Sequence, residues 1–392
     1  MDRIIQSILD TDLYKFTMQQ AVVKKFPCAK VRYKLIVRSD VKFHNTMKLM
    51  LMDHIKYMSE LGLTGNEKEW LRGNCYFLDP TYLDFLEGYR YDPNEVQIKQ
   101  VDGNLEIIIE GYWYRTILWE VPLMALISEL HFKLSGEHPW STNVRRENNK
   151  DKATILRSAG CHFADMGTRR RFSFDIQDEF VGQMAAISSA NFVGTSNVYL
   201  AFKHNVKCMG TQAHEWFMFM AAKYGYKMAN HMSMQYWTDV YRGDLGIALS
   251  DTLTSEIFFQ SFDKMFAKLY DGVRHDSGDP FEFTDKVIAH YNKLGIDPKT
   301  KVIIFSDSLN VDLAVKIKEY CRGKIKCSFG IGTHFTNDVG VIPLNMVIKM
   351  FEAKPEGEDW HPVIKLSDDK GKHTGDDHEI IVAKDVLGIE KI

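Results

Sequence analysis

The stretch Gly210-Thr211-Gln212-Ala213-His214-Glu215 separates a short apolar run, residues 206–209, from a strongly apolar helical run, residues 216–222. This order predicts a β-strand, a turn and an α-helix. Such a turn leaves backbone N–H groups free at the start of the helix, where they can face an anion. An imidazole at the mouth of the turn could accept or pass on a phosphoryl group. Taken alone, the stretch also fits a helix-capping turn with an incidental surface histidine, so the rest of the chain must decide.

The same strand, turn and helix pattern recurs through the second half of the chain. The other apolar runs end near Asp165, Gly194, Asp251, Arg274, Asp307 and Gly330. In a βα barrel all strands are parallel, so the turns that follow them lie on one rim, which carries the site. The pattern predicts an irregular or incomplete TIM-like βα barrel with one active site at its mouth. A doubly wound open sheet is the structural alternative.

The first half of the chain has a different pattern. Residues 31–38 alternate in the manner of a half-exposed strand, and two further strands are predicted at 96–99 and 105–114. Helical spacing occurs at residues 47–61 and 82–89. This half therefore predicts a mixed α/β sandwich domain. The polar stretch 137–152 makes a plausible boundary after it.

Composition limits the class of protein. The 392 residues are 45% hydrophobic and 26% charged, which is typical of a globular protein of two or three domains. The net charge of -3 argues against a protein that coats nucleic acid. No apolar run approaches the about 20 residues of a membrane span, and the N-terminus lacks signal-peptide features. The six cysteines form no Cys-x-x-Cys pair. We therefore expect a cytoplasmic protein with reduced thiols and no nucleic-acid or membrane partner.

Three turns carry groups that suit a phosphorylated sugar. The turn Arg274-His275-Asp276-Ser277-Gly278-Asp279 combines a cation, carboxylates, a hydroxyl and a glycine, which fits a sugar phosphate or diphosphate; an exposed charged turn is the alternative. The glycine loop Ser328-Phe329-Gly330-Ile331-Gly332-Thr333 fits a terminal phosphate, or else a simple tight turn. The run Arg169-Arg170-Arg171 follows a strand end, which favours at least one inward arginine. No Walker A, Rossmann or zinc pattern is present.

Six motifs in order give a resemblance to a known family. They are Thr11-Asp12-Leu13-Tyr14-x-x-Thr17-Met18, Gly167-Thr168-Arg169-Arg170-Arg171, Gly194-Thr195-Ser196-Asn197, Gly210-Thr211-x-Ala213-His214-Glu215, Arg274-x-Asp276-Ser277-Gly278-Asp279 and Phe329-Gly330-Ile331-Gly332-Thr333. Together they resemble the nicotinate phosphoribosyltransferases of the type II phosphoribosyltransferase family. Two departures stand out: Met166 replaces an expected bulkier aromatic, and the tail from Glu352 onward offers no recognisable motif.

The resemblance implies a fold, an assembly and a reaction. The fold would be an N-terminal α/β sandwich of residues 1–140, completed by residues 345–392, on a barrel of residues 141–344. The chains would form a homodimer with shared active sites. The reaction would transfer phosphoribosyl from 5-phosphoribosyl 1-diphosphate to nicotinate, giving nicotinate mononucleotide and diphosphate in NAD biosynthesis. ATP would be a co-substrate, and Mg²⁺ would arrive with the substrate diphosphate.

The resemblance also implies residue roles. His214, Asp276 and Arg169 would be catalytic, with His214 carrying a transient phosphoryl group from ATP. Tyr14 would stack on the pyridine ring, reaching into the neighbouring subunit's site. Thr211 and Arg274 would hold nicotinate, and Arg169 would serve the same anionic pocket or the diphosphate. Gly330, Gly332 and Thr333 would bind the 5-phosphate. Asp276 and Asp307 would bind ribose or Mg²⁺, with Ser277 and Gly278 beside them. Glu215 or a nearby carboxylate would orient the histidine ring.

Two kinds of alternative stay open. The acceptor could be nicotinamide or quinolinate, although the His214 segment argues against the quinolinate enzymes. From another class, the chain could be a catalytically silent nucleotide-binding or regulatory protein on the same scaffold. The presence of His214, Arg274 and Asp276 together argues against that reading.

Overall fold

The computed structural model describes residues 3–369 and 373–389. Residues 1–2, 370–372 and 390–392 lie outside the described residues. The last two ranges belong to the segment 345–392 that was predicted to complete the N-terminal domain. The helices are α1 Leu13–Lys25, α2 Met47–Met58, α3 Gly65–Asn74, α4 Pro80–Gly88, α5 Trp113–Thr116, α6 Glu120–Ser135, α7 Thr142–Ser158, α8 Phe174–Ile187, α9 Val198–His204, α10 His214–Tyr224, α11 Tyr226–Tyr241, α12 Ser255–Ser261, α13 Lys264–Leu269, α14 Pro280–Lys293, α15 Val311–Cys321, α16 Thr333–Thr336 and α17 Asp377–Leu387. The strands are β1 Lys30–Val37, β2 Val96–Val101, β3 Asn104–Tyr112, β4 Phe163–Asp165, β5 Phe192–Thr195, β6 Ile247–Leu249, β7 Gly272–His275, β8 Val302–Phe305, β9 Lys326–Ile331, β10 Met346–Lys354 and β11 His361–Pro362.

An antiparallel sheet joins the two ends of the chain. Its five strands lie in the order β11-β10-β1-β3-β2, and β1 pairs along its length with β10, from Lys30 opposite Lys354 to Val37 opposite Met346. The strands predicted at 31–38 and 96–99 are confirmed. The strand predicted at 105–114 is two residues too long at its end, because β3 ends at Tyr112 and the chain then turns into α5. The cause is Trp113, which is fully buried and packs on Phe219 in α10.

A second sheet holds the remaining strands, all of them parallel. The order is β5-β4-β9-β8-β7-β6, so that the first of these strands in the chain pairs with the last. The predicted parallel strand pattern is confirmed except at residues 206–209. That run makes only a single bridge, Cys208 to Thr195, because Asn205 (φ 49°) and Gly210 (φ 151°) break the extended backbone on either side.

The polar stretch 137–152, predicted as a domain boundary, is helical for most of its length, and the boundary itself stays a prediction. Helix α7 occupies Thr142–Ser158, and its buried positions Asn149, Lys152, Ala153 and Leu156 follow helical spacing. Its polar composition concealed this face, because the buried polar groups find partners. Lys152, for example, lies 2.7 Å from the Asp338 carboxylate and also donates to a backbone carbonyl.

The two sheets share a hydrophobic core, and α1 runs through it with most of its residues buried. Because parallel strands end at the same edge of a sheet, the turns after β4, β5, β7, β8 and β9 lie together. The antiparallel sheet covers that edge through β1 and β10. No helix in the described ranges combines the length and apolar character needed to cross a membrane.

Candidate active site

A cavity of about 770 Å³ lies where the turns of the parallel sheet meet β1 and β10. Of the predicted site residues, those that line it are Tyr14, Arg169, Thr211, His214, Arg274, Asp276, Ser277, Asp307, Gly330, Gly332 and Thr333. Gly278 is the exception. Its left-handed backbone (φ 81°) turns its N–H toward the carboxylate of Asp369, 3.2 Å away, and Asp369 itself lines the cavity. Gly278 therefore shapes the turn behind the lining residues.

His214 begins helix α10 and is held at both ring nitrogens. Nδ1 lies 2.9 Å from the Thr252 hydroxyl, while Nε2 lies 2.9 Å from both Asp276 Oδ2 and Lys365 Nζ. Burial, assisted by the positive charge of Lys365, lowers the pKa of His214 to about 4 despite the carboxylates nearby. The imidazole is therefore neutral near pH 7, which is the nucleophilic form.

Of the two predicted alternatives for orienting this ring, Glu215 or a nearby carboxylate, Glu215 is engaged elsewhere. Its carboxylate accepts hydrogen bonds from Tyr33 and from Lys15 Nζ, each at 2.5 Å. Lys15 is fully buried and also pairs with Glu120. Adjacent residues on a helix point in different directions, so Glu215 faces the antiparallel sheet while His214 faces the cavity. The carboxylate nearest the ring is that of Asp276, 2.9 Å from Nε2.

A second buried carboxylate, Asp251, supports the histidine cluster. It lies 2.9 Å from Lys365 Nζ and accepts a 2.6 Å hydrogen bond from the Ser277 hydroxyl. Burial raises its pKa, but His214 and Lys365 outweigh that effect, so the net pKa is below the ordinary value. One oxygen of Asp251 is buried with no hydrogen-bond partner among the described residues. Ligand atoms of His214, Asp251 and Asp276 all lie within 4.8 Å of one another, close enough to hold a cation.

Sequence reasoning missed both Asp251 and Lys365 as site residues. Asp251 had a usable signal, since it ends one of the apolar runs. Lys365 had none, because it lies in the C-terminal segment without a recognisable motif. Backbone hydrogen bonds bring that segment to the site, including Leu366 N–H to Thr252 C=O at 2.8 Å.

Arg274 projects from the end of β7, and only part of its guanidinium group is bonded to the protein. Its Nη1 donates to the Gln212 carbonyl at 3.1 Å, and Nη2 lies 3.5 Å from Asp276. Its Nε is buried and has no partner among the described residues. A planar guanidinium in this state can still offer donors to a ligand carboxylate. The neighbouring Thr211 is fixed by a 2.6 Å hydrogen bond from the Thr17 hydroxyl to its carbonyl.

Tyr14 and Arg169 form another part of the wall. The N-terminus of α1 is tied down by the Leu13 N–H, which donates to the Ser196 carbonyl at 2.8 Å. Arg169 lies 3.7 Å from the Glu120 carboxylate. Tyr14 lines the cavity of its own chain, because α1 folds back onto the turn after β5. Its predicted role in the site of a neighbouring subunit stays a prediction.

The arginine run divides between site and core. Arg169 and Arg170 line the cavity, whereas Arg171 is fully buried and pairs with both oxygens of Asp10 at 2.7 and 2.8 Å. Burial and the charge of Arg169 lower the pKa of Arg170 to about 10. Lys349, on β10, also lines the cavity, and burial together with neighbouring cations lowers its pKa to about 8. Repelling cations of this kind favour an anionic ligand.

The glycine turn after β9 packs closely on the turn after β4. A Cβ at Gly330 would lie 2.3 Å from the Met166 sulfur, and one at Gly332 would lie 3.0 Å from the Met166 carbonyl. Thr333 follows as the first residue of α16. Met166, found where a bulkier aromatic was expected, thus forms the contact between these two turns.

The chain is similar to known proteins over most of its length. Residues 161–391 match the model described as "Nicotinate phosphoribosyltransferase (NAPRTase) family", and residues 9–128 match its N-terminal domain. The chain is 53% identical to a nicotinate phosphoribosyltransferase of Chromohalobacter salexigens, covering 99% of this chain and 100% of the relative. It is 51% identical to one of Desulforapulum autotrophicum, covering 96% and 97% respectively.

A solved structure is also similar. The crystal structure of nicotinate phosphoribosyltransferase from Porphyromonas gingivalis superposes with a TM-score of 0.96 at 45% identity, covering 98% of this chain and 100% of that one. The family models together span most of the sequence, and the relatives match it from end to end. The chain belongs to the nicotinate phosphoribosyltransferase family.

Proposed function

We propose that this protein transfers phosphoribosyl from 5-phosphoribosyl 1-diphosphate to nicotinate in NAD salvage, and that ATP drives the reaction through a phosphohistidine at His214. The observation that carries the proposal is the convergence, in one cavity, of a neutral histidine, a partly unpaired arginine and a glycine turn suited to phosphate. Family membership supports the same reaction.

Nicotinate would bind between Arg274 and Tyr14. The free donors of Arg274 suit a carboxylate, and the Tyr14 ring would stack on the pyridine. Burial raises the pKa of Tyr14, so its phenol stays neutral and does not repel the anionic acid. Nicotinamide is the weaker candidate, because a neutral amide compensates less for desolvation of a guanidinium.

The phosphoribosyl donor would lie across the turns of the parallel sheet. Gly332 and Thr333 would bind the 5-phosphate through backbone donors. Asp276 and Asp307 would hold the ribose hydroxyls, and Arg169 would meet the diphosphate. The pyridine nitrogen then attacks the anomeric carbon as diphosphate leaves. The ring nitrogen needs no strong base, so positioning and stabilisation of the leaving group would supply most of the catalysis.

The phosphohistidine step would use the tautomer of His214 in which Nδ1–H donates to the Thr252 hydroxyl, which leaves the lone pair of Nε2 free. This nitrogen would attack the γ-phosphorus of ATP and release ADP, while Lys365 offsets the charge that the phosphoryl group adds. Hydrolysis of the phosphoramidate would reset the cycle. The added charge would tighten binding of the donor without taking part in the sugar chemistry.

The carboxylates of Asp251 and Asp276 fit Mg²⁺, which prefers oxygen ligands, and Asp251 has a buried oxygen without a partner in the described chain. Bound there or through the substrate diphosphate, Mg²⁺ would neutralise charge on the leaving group. Lys365 would keep Asp251 in place in either case.

We also propose the finer features of fold and assembly that the resemblance implies. In the parallel order β5-β4-β9-β8-β7-β6, β4 is the first of these strands in the chain and pairs with β9, the last. This pairing supports an incomplete barrel of residues 141–344. The antiparallel sheet supports an N-terminal sandwich, residues 1–140, that residues 345–392 complete. A homodimer and a cytoplasmic location remain part of the proposal, and six unpaired cysteines suit a reducing compartment.

The test measures mononucleotide and diphosphate formation with nicotinate or nicotinamide, with and without ATP. We expect activity with nicotinate that ATP stimulates. Arg274→Ala should lower kcat/KM for nicotinate. The corresponding loss of transition-state stabilisation should be about 2–4 kcal/mol, the range for losing a charged hydrogen-bond partner. Near-normal kcat/KM in that variant, or a preference for nicotinamide, would overturn the acceptor assignment.

His214→Asn separates the two half-reactions. It should abolish ATP hydrolysis and the acid-labile, base-stable protein phosphate, while slow ATP-independent transfer continues. Normal labelling of the variant by γ-labelled ATP would falsify the phosphohistidine. Complete loss of transfer with substrate binding intact would show instead that His214 belongs to the sugar chemistry.

A further inference from the structure

A second cavity, of about 330 Å³, lies at the opposite ends of β8 and β9 from the candidate active site. Five basic residues line it: Lys299, Lys318, Arg322, Lys324 and Lys326. No carboxylate is among the described residues of its wall. Such a concentration of positive charge attracts small anions.

Two cysteine thiols form part of the same wall. Cys321 is the last residue of α15 and Cys327 is the second residue of β9. Their side chains are buried, neither is in a disulfide, and both line the same cavity. The turn between them is closed by the Ile325 N–H, which donates to the Cys321 carbonyl at 3.2 Å. Two free thiols in the wall of one cavity, surrounded by basic residues, suit thiol–disulfide exchange.

We propose that Cys321 and Cys327 form a redox-active dithiol that an anionic low-molecular-weight disulfide oxidises through the basic cavity. The Cys321 thiolate attacks one sulfur of the small disulfide, forming a mixed disulfide and releasing one small thiol. The Cys327 sulfur then attacks the Cys321 sulfur and releases the second small thiol. The two protein thiols are oxidised to one disulfide, their two protons go to the released thiols, and the small disulfide is reduced.

The order of attack follows from the different surroundings of the two thiols. Their interaction lowers the pKa of Cys321 and raises that of Cys327. Lys324 and Lys318 add to the stabilisation of the Cys321 thiolate. Cys321 is therefore the attacking sulfur and Cys327 the resolving one.

Strand β9 connects this dithiol to the candidate active site. It runs from Lys326 to Ile331 and continues into Gly332 and Thr333, which line the main cavity. A disulfide at the start of β9 would restrain the strand that carries the glycine turn. This consequence rests on the proposed function: oxidation should raise the KM for phosphoribosyl diphosphate several-fold and leave the KM for nicotinate unchanged.

The experiment uses the full chain with the exposed Cys28 replaced by serine, titrated with oxidised glutathione. Non-reducing peptide mass spectrometry should find a Cys321–Cys327 disulfide that dithiothreitol reverses. Cys327→Ser should instead trap glutathione on Cys321, whereas Cys75→Ser, a buried cysteine elsewhere, should react like the parent. Failure of both thiols to oxidise in folded protein would overturn the proposal, whatever the kinetics of nucleotide formation.

A charge control tests the role of the cavity. Replacing Lys318 and Lys324 by glutamine should slow oxidation by anionic glutathione disulfide several-fold at low ionic strength. Oxidation by neutral hydroxyethyl disulfide should change little. Equal slowing of both reagents would contradict recruitment by charge.

Discussion

The chemistry of single residues in this protein is decided by burial next to chosen charges. His214 is neutral because burial and Lys365 disfavour its cation, while the Thr252 hydroxyl and Asp276 carboxylate hold the ring in place. Lys349 loses its proton more readily than an ordinary lysine for the same reasons. Both effects come from residues far away in sequence, and both can be measured.

Lys365 is expected to stabilise charge on the phosphoryl group at His214. Lys365→Met should lower ATP hydrolysis about 10²–10³-fold, the range for losing one preorganised electrostatic contact in a catalytic site. Lys354→Met, which alters a lysine at the end of β10 that pairs with exposed Asp359, is the matched control and should be close to wild type. Wild-type hydrolysis by Lys365→Met would remove this residue from the mechanism.

The lowered pKa of Lys349 predicts that binding of phosphoribosyl diphosphate depends on pH. Its pKa is lowered to about 8, so the ammonium form is present below that pH and is lost as the pH rises through it. The KM for phosphoribosyl diphosphate should therefore increase above about pH 8, because an attraction to the anion disappears. Lys349→Arg keeps its charge and should flatten this part of the profile. Identical profiles for the two proteins would assign the dependence to another group.

At the scale of elements, the site depends on close packing between neighbouring turns. Gly194, the third residue of β5, has φ 146°, and a Cβ there would lie 1.9 Å from the Lys207 carbonyl oxygen. The backbone after β5 and the bridge at Cys208 therefore approach each other only because position 194 has no side chain. This contact sets the path of the chain toward the Gly210 turn and His214.

Gly194→Ala should accordingly destabilise the protein by about 1–3 kcal/mol, the cost of a forced steric insertion. Gly73→Ala, at a helical position with open space around it, should stabilise by about 0.5–1 kcal/mol. Urea unfolding of both variants measures the two effects. A stable Gly194→Ala protein would mean that the segment after β5 can move without cost.

At the scale of the whole molecule, buried charges connect the two sheets. Lys15 on α1 lies between Glu120 at the start of α6 and Glu215 on α10, and Tyr33 on β1 completes the group. Glu215 adjoins His214, so this group links the antiparallel sheet to the catalytic turn. The connection is a buried cluster, and removing Lys15 deprives Glu215 of its cation and leaves Glu120 with Arg169, 3.7 Å away.

Lys15→Met should therefore lower the free energy of unfolding by about 3–5 kcal/mol, the cost of breaking a buried ion pair. Lys24→Met removes a half-exposed lysine from the same helix, where it pairs with Asp79, and should cost less than about 1 kcal/mol. Urea unfolding followed by tryptophan fluorescence compares them. Equal stabilities would show that the cluster does not couple the sheets.

The sequence by itself determined the local order of strands, turns and helices, because periodicity and turn residues act over a few positions. It also located His214, Arg274 and Asp276, since each lies at the end of an apolar run or just after it, and the turns that follow parallel strands meet at one edge. Only the tertiary structure decided that Lys365 reaches His214, that Glu215 turns to Lys15, and that polar α7 has a buried face. Those outcomes depend on pairing between segments far apart in the chain, and on which side of a helix meets the core, so no local pattern records them.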